Sequence, residues 1–210
     1  KSLIASIKNI NSNLLIAIDH EGGRVQRFKK GFTSLPSFNS IGNIYEKNPN
    51  LGDEIAYHSG YIAGYELKSI GVDINFSPVV DLSTNSDVLN SRTFSESTTG
   101  VVRMSLSYIR GLIDNGIIPT LKHYPGHGTV TGDTHTDLMT CSMSWEEIYE
   151  HLVVFEKIYS KHEIPIMTSH IQFKKISKHP VTTSSEWLYD IARKVFGKYP
   201  FFISDDLEMI

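Results

Sequence analysis

Gly116-Ile117-Ile118-Pro119-Thr120-Leu121 runs straight into Lys122-His123-Tyr124-Pro125-Gly126-His127-Gly128, and Gly132-Asp133-Thr134-His135 follows closely. The apolar half reads as a buried strand that delivers Lys122 and His123 to its end. The half beyond reads as a loop, because its glycines and proline rule out a regular helix. Titratable side chains just past the end of an apolar strand are where α/β enzymes keep their chemistry. The alternative is a surface loop that happens to be rich in histidine, and the rest of the chain speaks against it.

The same pattern recurs on both sides. Leu14-Leu15-Ile16-Ala17-Ile18 is a continuous apolar run ending in the charged, glycine-containing Asp19-His20-Glu21-Gly22-Gly23-Arg24. Apolar residues at 51, 55, 62, 63, 67 and 70 predict a helix closed by Gly71. Val72-Asp73-Ile74-Asn75-Phe76 reads as a strand running into Ser77-Pro78-Val79-Val80-Asp81. A polar loop then holds Ser91-Arg92-Thr93-Phe94, and a helix is expected over about 98–114. Ser144-Trp145-Glu146-Glu147 is a capping box for a helix to about 161, and Thr183-Ser184-Ser185-Glu186 offers a second for a helix ending near Gly197. Between these helices Pro165-Ile166-Met167-Thr168-Ser169-His170 reads as a strand with a polar end. After them Phe201-Phe202-Ile203-Ser204 is a strand that discharges Asp205-Asp206.

Strands alternating with helices imply α/β architecture with a parallel sheet. An open doubly wound sheet collects ligand residues only at its switch point. Here nearly every strand ends in a polar cluster: Asp19, Asp81, Lys122-His123, Ser169-His170 and Asp205-Asp206. A (β/α)8 TIM barrel brings all its strand ends to one mouth, so the barrel is the expected fold. No repeat, linker or low-complexity tract divides residues 1–210, which read as one domain. The strands fall short of the barrel's eight, and both ends of the chain read as cut. The expectation is an incomplete barrel lacking its first strand and its C-terminal strand or strands.

Composition is that of an ordinary soluble globular protein, with 40% hydrophobic and 20% charged residues among 210. A net charge of −3 gives no electrostatic case for nucleic acid or a polybasic membrane contact. No apolar run approaches the ~20 residues that span a bilayer, and no signal peptide is apparent. The single cysteine, Cys141, excludes an internal disulfide and reads as a packing residue. The oligomeric state is left open.

Asp205 follows an apolar strand and is therefore held rigidly. A carboxylate so placed can attack an anomeric carbon, stabilise an oxocarbenium ion or bind a metal. Alternatively it caps the following segment, although Asp206 suits that role better. His135 lies two residues from Asp133, a spacing that lets the carboxylate fix the imidazole tautomer and raise its basicity. Lys122 and Arg92 supply positive charge that holds hydroxyls and keeps Asp205 ionised. His127, between two glycines, reads as a brace for its loop. His123 is either a site residue or a satisfied core histidine, and Arg24 and Arg27 are either site cations or solvated loop charges. His123, His127, His135 and Asp133 could in principle bind zinc. The chain lacks a short helical ligand pair of the zinc hydrolase kind, so no metal and no cofactor is expected.

Taken together, these blocks resemble the bacterial β-N-acetylglucosaminidases of the third glycoside hydrolase family, enzymes of peptidoglycan recycling. The resemblance lies in Lys122 to Gly128 with Asp133-Thr134-His135, and in Asp19 to Arg27 with its double glycine. It extends to Asn75-Phe76-Ser77-Pro78-Val79-Val80-Asp81, to Ser91-Arg92-Thr93-Phe94 and to Ser204-Asp205-Asp206-Leu207-Glu208-Met209. The blocks stand in the family's order and cover nearly the whole chain; His20 departs from it, standing where glutamine is usual. The resemblance implies a (β/α)8 barrel, a covalent nucleophile at Asp205 and an acid/base at His135 partnered by Asp133. It implies that Asp19, Arg92, Lys122 and His123 hold the sugar hydroxyls; Arg24 and His170 are further substrate-binding candidates from their place at strand ends and loops, not from the resemblance. The expected activity is retaining removal of terminal β-linked N-acetylglucosamine from muropeptides in the cytoplasm. A small saccharide is then the partner, with neither nucleic acid nor membrane. A β-glucosidase or β-xylosidase of the same family, or a fragment that only binds sugar, are the alternatives.

Overall fold

The computed structural model describes residues 2–82, 89–127, 130 and 139–208. In chain order, α1 (Ser2–Ile10) leads to β1 (Ala17–Ile18) and to an antiparallel hairpin of β2 (His20–Gly22) and β3 (Val25–Gln26). The helices α2 (Phe38–Lys47) and α3 (Pro49–Ser69) then precede β4 (Ile74–Asn75). The next helix, α4 (Thr98–Ile113), is followed by β5 (Ile118–Pro119), β6 (Leu121–Tyr124) and β7 (Thr140–Cys141). The last third holds α5 (Trp145–Tyr159), β8 (Ile166–Thr168), β9 (Gln172–Phe173), α6 (Ala192–Phe196) and β10 (Phe202–Ser204).

The principal strands are parallel and lie in chain order. One sheet runs β1-β4-β5 and the other β6-β8-β10. Only Thr120 separates β5 from β6, and a parallel bridge between Val79 and Lys122 carries the seam between the two sheets beyond β4. A doubly wound sheet reverses its order at a switch point, and no such reversal occurs among the described residues. The expected closed barrel is not found, however. Among the described residues β1 and β10 each have a neighbour on one side only, so the fold is mixed α/β with parallel sheets in an open succession. A short parallel pair, β7 with β9, was not anticipated from the sequence.

Lys122 and His123 lie inside β6 rather than past its end. The reason is pairing: Val80 N–H donates to Lys122 O at 2.8 Å and Ser169 N–H donates to Tyr124 O at 2.9 Å, which keeps the chain extended through Tyr124. The helices start where their caps say. Ser37, Asn48 and Ser97 accept from the first-turn amides of α2, α3 and α4. Ser144 and Glu147 form the reciprocal box that opens α5. The second expected box does not form. Ser184 caps Trp187, the Glu186 carboxylate accepts from the Ser177 and Ser184 hydroxyls, and the Thr183 amide donates to Pro180 O instead of to Glu186. A wider π-helical turn over Glu186–Ile191 therefore precedes α6, which ends at Gly197 with φ 71°.

In α3 the apolar face expected from the spacing is turned inward at Ile55, Ile62, Ala63, Leu67 and Ile70, but the fully buried stripe is shifted toward the small residues beside it. Gly52, Ala56, Ser59, Gly60, Ala63, Gly64 and Leu67 are buried, while Leu51 is exposed. Small residues lie inward because α3 and α4 pack backbone to backbone. A Cβ on Gly60 would meet Tyr108 O, and one on Gly111 would meet Tyr57 O and Tyr61 N. Cys141 is buried in the core, and Tyr124 is packed edge-on against Phe155 and Trp187.

Candidate active site

Asp19 and Glu21 stand two residues apart at the exit of β1, an extended spacing that sends both carboxylates to one side. Between them lies the ammonium of Lys122, with Nζ 2.7 Å from Asp19 Oδ1 and 2.7 Å from Glu21 Oε1. Arg92, on a 3-10 turn over Asn90–Arg92, donates Nε and Nη2 to the two oxygens of Glu21 at 2.9 and 2.7 Å. Lys122 and Glu21 are buried; Asp19 keeps about a third of its side chain exposed. Burial alone would raise the Glu21 pKa strongly, but the charges and hydrogen bonds of Lys122 and Arg92 overrule it and hold the carboxyl at about 2. Buried charges persist only when paired in this way.

A second carboxylate, Asp81, organises the histidines. Its Oδ2 lies 2.8 Å from His123 Nδ1 and also accepts from the His123 backbone N–H, while its Oδ1 accepts from His127 N–H at 2.6 Å. Asp81 is fully buried, which works to raise its pKa, yet the His123 charge and hydrogen bond together with His127 lower it. An ionised Asp81 holds the His123 ring by Nδ1, so Nε2 faces away from the carboxylate. His127 braces the turn through its amide. Burial, followed by the charge on His123, lowers its ring pKa to about 4.

Asp205 leaves β10 beside Asp19. Both line one cavity of about 390 Å³ with Phe76, Met167, Ser204, Asp206 and Leu207, a volume in the range of small-molecule sites. Asp205 Oδ1 accepts from Asp206 N–H, and Asp206 Oδ1 accepts from Glu208 N–H. It is therefore Asp206 that closes the following turn, as its position suggested. His170 lies just behind, with Nε2 2.9 Å from Asp206 O and Nδ1 2.9 Å from Thr182 Oγ1.

Asp19, Arg92 and Lys122 thus share one ion-pair network, His123 adjoins it across β6, and Asp205 shares a cavity wall with Asp19. Of the expected site residues that are described, only Asp19 and Asp205 line that cavity: Lys122, Arg92, His123 and His170 do not, nor does Arg24, exposed at the β2–β3 turn. Asp133 and His135 lie outside the described residues. Among those described, no three histidine, cysteine, aspartate or glutamate side chains are arranged to hold a metal ion. Reading the sequence for single residues missed Glu21 and the hub role of Asp81. The signal for Glu21 was its two-residue spacing from Asp19. For Asp81 there was none, since its partners are more than forty positions away.

The profile of the glycosyl hydrolase family 3 N-terminal domain matches residues 3–210. A beta-hexosaminidase of Psychromonas ingrahamii is 40% identical over 213 residues, covering 100% of this chain and 62% of its own length. Among solved structures, native NagZ from Neisseria gonorrhoeae superposes with a TM-score of 0.94 at 35% identity, covering 99% of this chain and 62% of that one. The same Neisseria enzyme in complex with N-trifluoroacetyl-D-glucosamine gives 0.93 at 35% identity, with 98% and 62% covered. The chain therefore spans somewhat less than two thirds of the relatives it matches.

Proposed function

The chain belongs to the glycosyl hydrolase family 3 N-terminal domain family, and from that premise we propose that the protein is a retaining exo-β-N-acetylglucosaminidase. The observation that carries this reading is the shared cavity of Asp205 and Asp19, backed by the Lys122–Glu21–Arg92 network. In the proposed reaction Asp205 attacks the anomeric carbon and His135, partnered by Asp133, protonates the departing glycosidic oxygen. His135 then takes a proton from water as that water displaces Asp205 and releases the sugar with its configuration retained. Asp19, Lys122, Arg92 and His123 are proposed to hold the sugar hydroxyls; Arg24 and His170, which do not line the cavity, are not given a sugar contact.

The substrate is proposed to be terminal β-linked N-acetylglucosamine on peptidoglycan fragments, handled in the cytoplasm. Support for the sugar comes from the beta-hexosaminidase relatives and from the N-acylated glucosamine bound by the Neisseria enzyme. The unbroken chain order of parallel strands supports a (β/α)8 barrel as the parent architecture. Among the described residues, no helix is long and apolar enough to cross a membrane.

The deciding experiment is hydrolysis of 4-nitrophenyl β-N-acetylglucosaminide and of the plain glucoside by the full-length protein. The acetamido substrate is expected to be cleaved faster. Asp205→Asn should abolish turnover, and His135→Ala should lose about 10²- to 10⁴-fold with partial rescue by azide. Faster cleavage of the plain glucoside overturns the substrate, and activity indifferent to both changes overturns the site.

A further inference from the structure

We propose that His170 is a positioning residue for Asp205, holding the carboxylate through the backbone of Asp206; the proposal rests on the reading of Asp205 as nucleophile. The segment after β10 leaves a strand paired only with β8 among the described residues, and Asp206, Leu207 and Glu208 are exposed. Such an exit needs an anchor if a reacting carboxylate is to keep its place within a fraction of an ångström. His170 provides one from the neighbouring strand end, because Asp206 O can only accept and the ring Nε2 must therefore donate to it.

The other ring nitrogen is anchored in turn. Nδ1 lies 2.9 Å from Thr182 Oγ1, which lies 2.8 Å from Thr168 Oγ1 on β8 and 3.0 Å from Ser169 O. The Thr182 hydroxyl has one proton, and His170 Nδ1 and Ser169 O both stand within reach to accept it, as Thr168 Oγ1 stands within reach of both Thr182 Oγ1 and Ile203 O. The ring is thereby seated against Thr182, between the end of β8 and the Asp206 carbonyl. Asp206 is gripped at both ends, its carbonyl by His170 and its N–H by Oδ1 of Asp205. Rotation of the Asp206 backbone would drag that oxygen with it. His170 has both ring nitrogens engaged by the protein and does not line the cavity, so it acts from behind the carboxylate.

Glutamine and asparagine separate the two halves of the imidazole. The amide of His170→Gln can reach the place of Nε2 and keep a donor to Asp206 O, whereas His170→Asn reaches only the place of Nδ1. In the full-length protein we expect His170→Asn to lower kcat by about tenfold to a hundredfold with little change in KM, slowing the first burst of nitrophenol release. His170→Gln should recover much of that loss. Backbone amide exchange over 205–207 should quicken in His170→Asn and not in His170→Gln. Equal kcat in the two variants, a rise in KM alone, or a lower melting temperature with kcat intact would overturn the proposal. Failure of the enzymatic reading looks different. Wild-type protein would then leave the nitrophenyl substrate intact, and amide exchange would still decide: a response to His170→Asn alone supports the anchor, and its absence overturns it.

Discussion

Glu21 carries two cations on one buried carboxylate, which makes it the residue where electrostatics and stability meet. Replacing it by glutamine leaves Lys122 with Asp19 alone and Arg92 with a neutral amide. Breaking a buried pair from one side costs about 3–5 kcal/mol, and the glutamine's acceptor oxygen should keep the loss near the lower figure. Urea unfolding at neutral pH measures it. The pH dependence has a definite sign. The folded pKa of about 2 lies below the ordinary 4.5, so Glu21 stabilises fully above pH 4.5 and that stabilisation is lost as pH falls through 2. His127 acts earlier: its folded value of about 4 lies below the ordinary 6.5, so stability falls from pH 6.5 down to 4 as the unfolded chain takes the proton first. Thermal melts against pH should show the upper slope flattened in His127→Gln and the lower one in Glu21→Gln. Residue types were legible from the sequence here and partners were not. Lys122 and Asp19 stand 103 positions apart, and no local spacing foretells which cation a carboxylate will meet.

At the scale of elements, α3 and α4 pack with their backbones in contact. Gly60 and Gly111 let the two backbones touch, so Gly60→Ala or Gly111→Ala must push the helices apart. The expected loss is about 1–3 kcal/mol, read as a lower midpoint in chemical denaturation with the slope of the transition unchanged. Helix starts were legible because a cap is a local device: Ser144 needs only Glu147 three residues on. The apolar side of α3 was legible too, but not the small-residue stripe at its centre, because that depends on how closely the facing helix approaches. The same holds for Lys122 and His123, drawn into β6 by pairing with residues on other strands.

For the whole molecule, the open succession of parallel strands sets the expectations. Among the described residues the edges at β1 and β10 have no strand partner on their outer sides, and Leu14, Leu15 and Phe201 close by are exposed. Unpaired edges beside apolar surface invite association. The 210-residue chain by itself should therefore elute as a concentration-dependent oligomer in light-scattering chromatography, and Phe201→Lys should shift it toward monomer. A monomer at all concentrations would refute this. The alternation of apolar runs with capped helices was enough, from the sequence alone, to establish an α/β fold with polar strand ends. Those features depend on residues within a few positions of one another. The tertiary structure alone decided the sequential strand order, the small-residue seam between α3 and α4, and the partners of Glu21, Asp81 and His170. Each of these depends on contacts between distant segments, and their energies arise only once the chain has closed on itself.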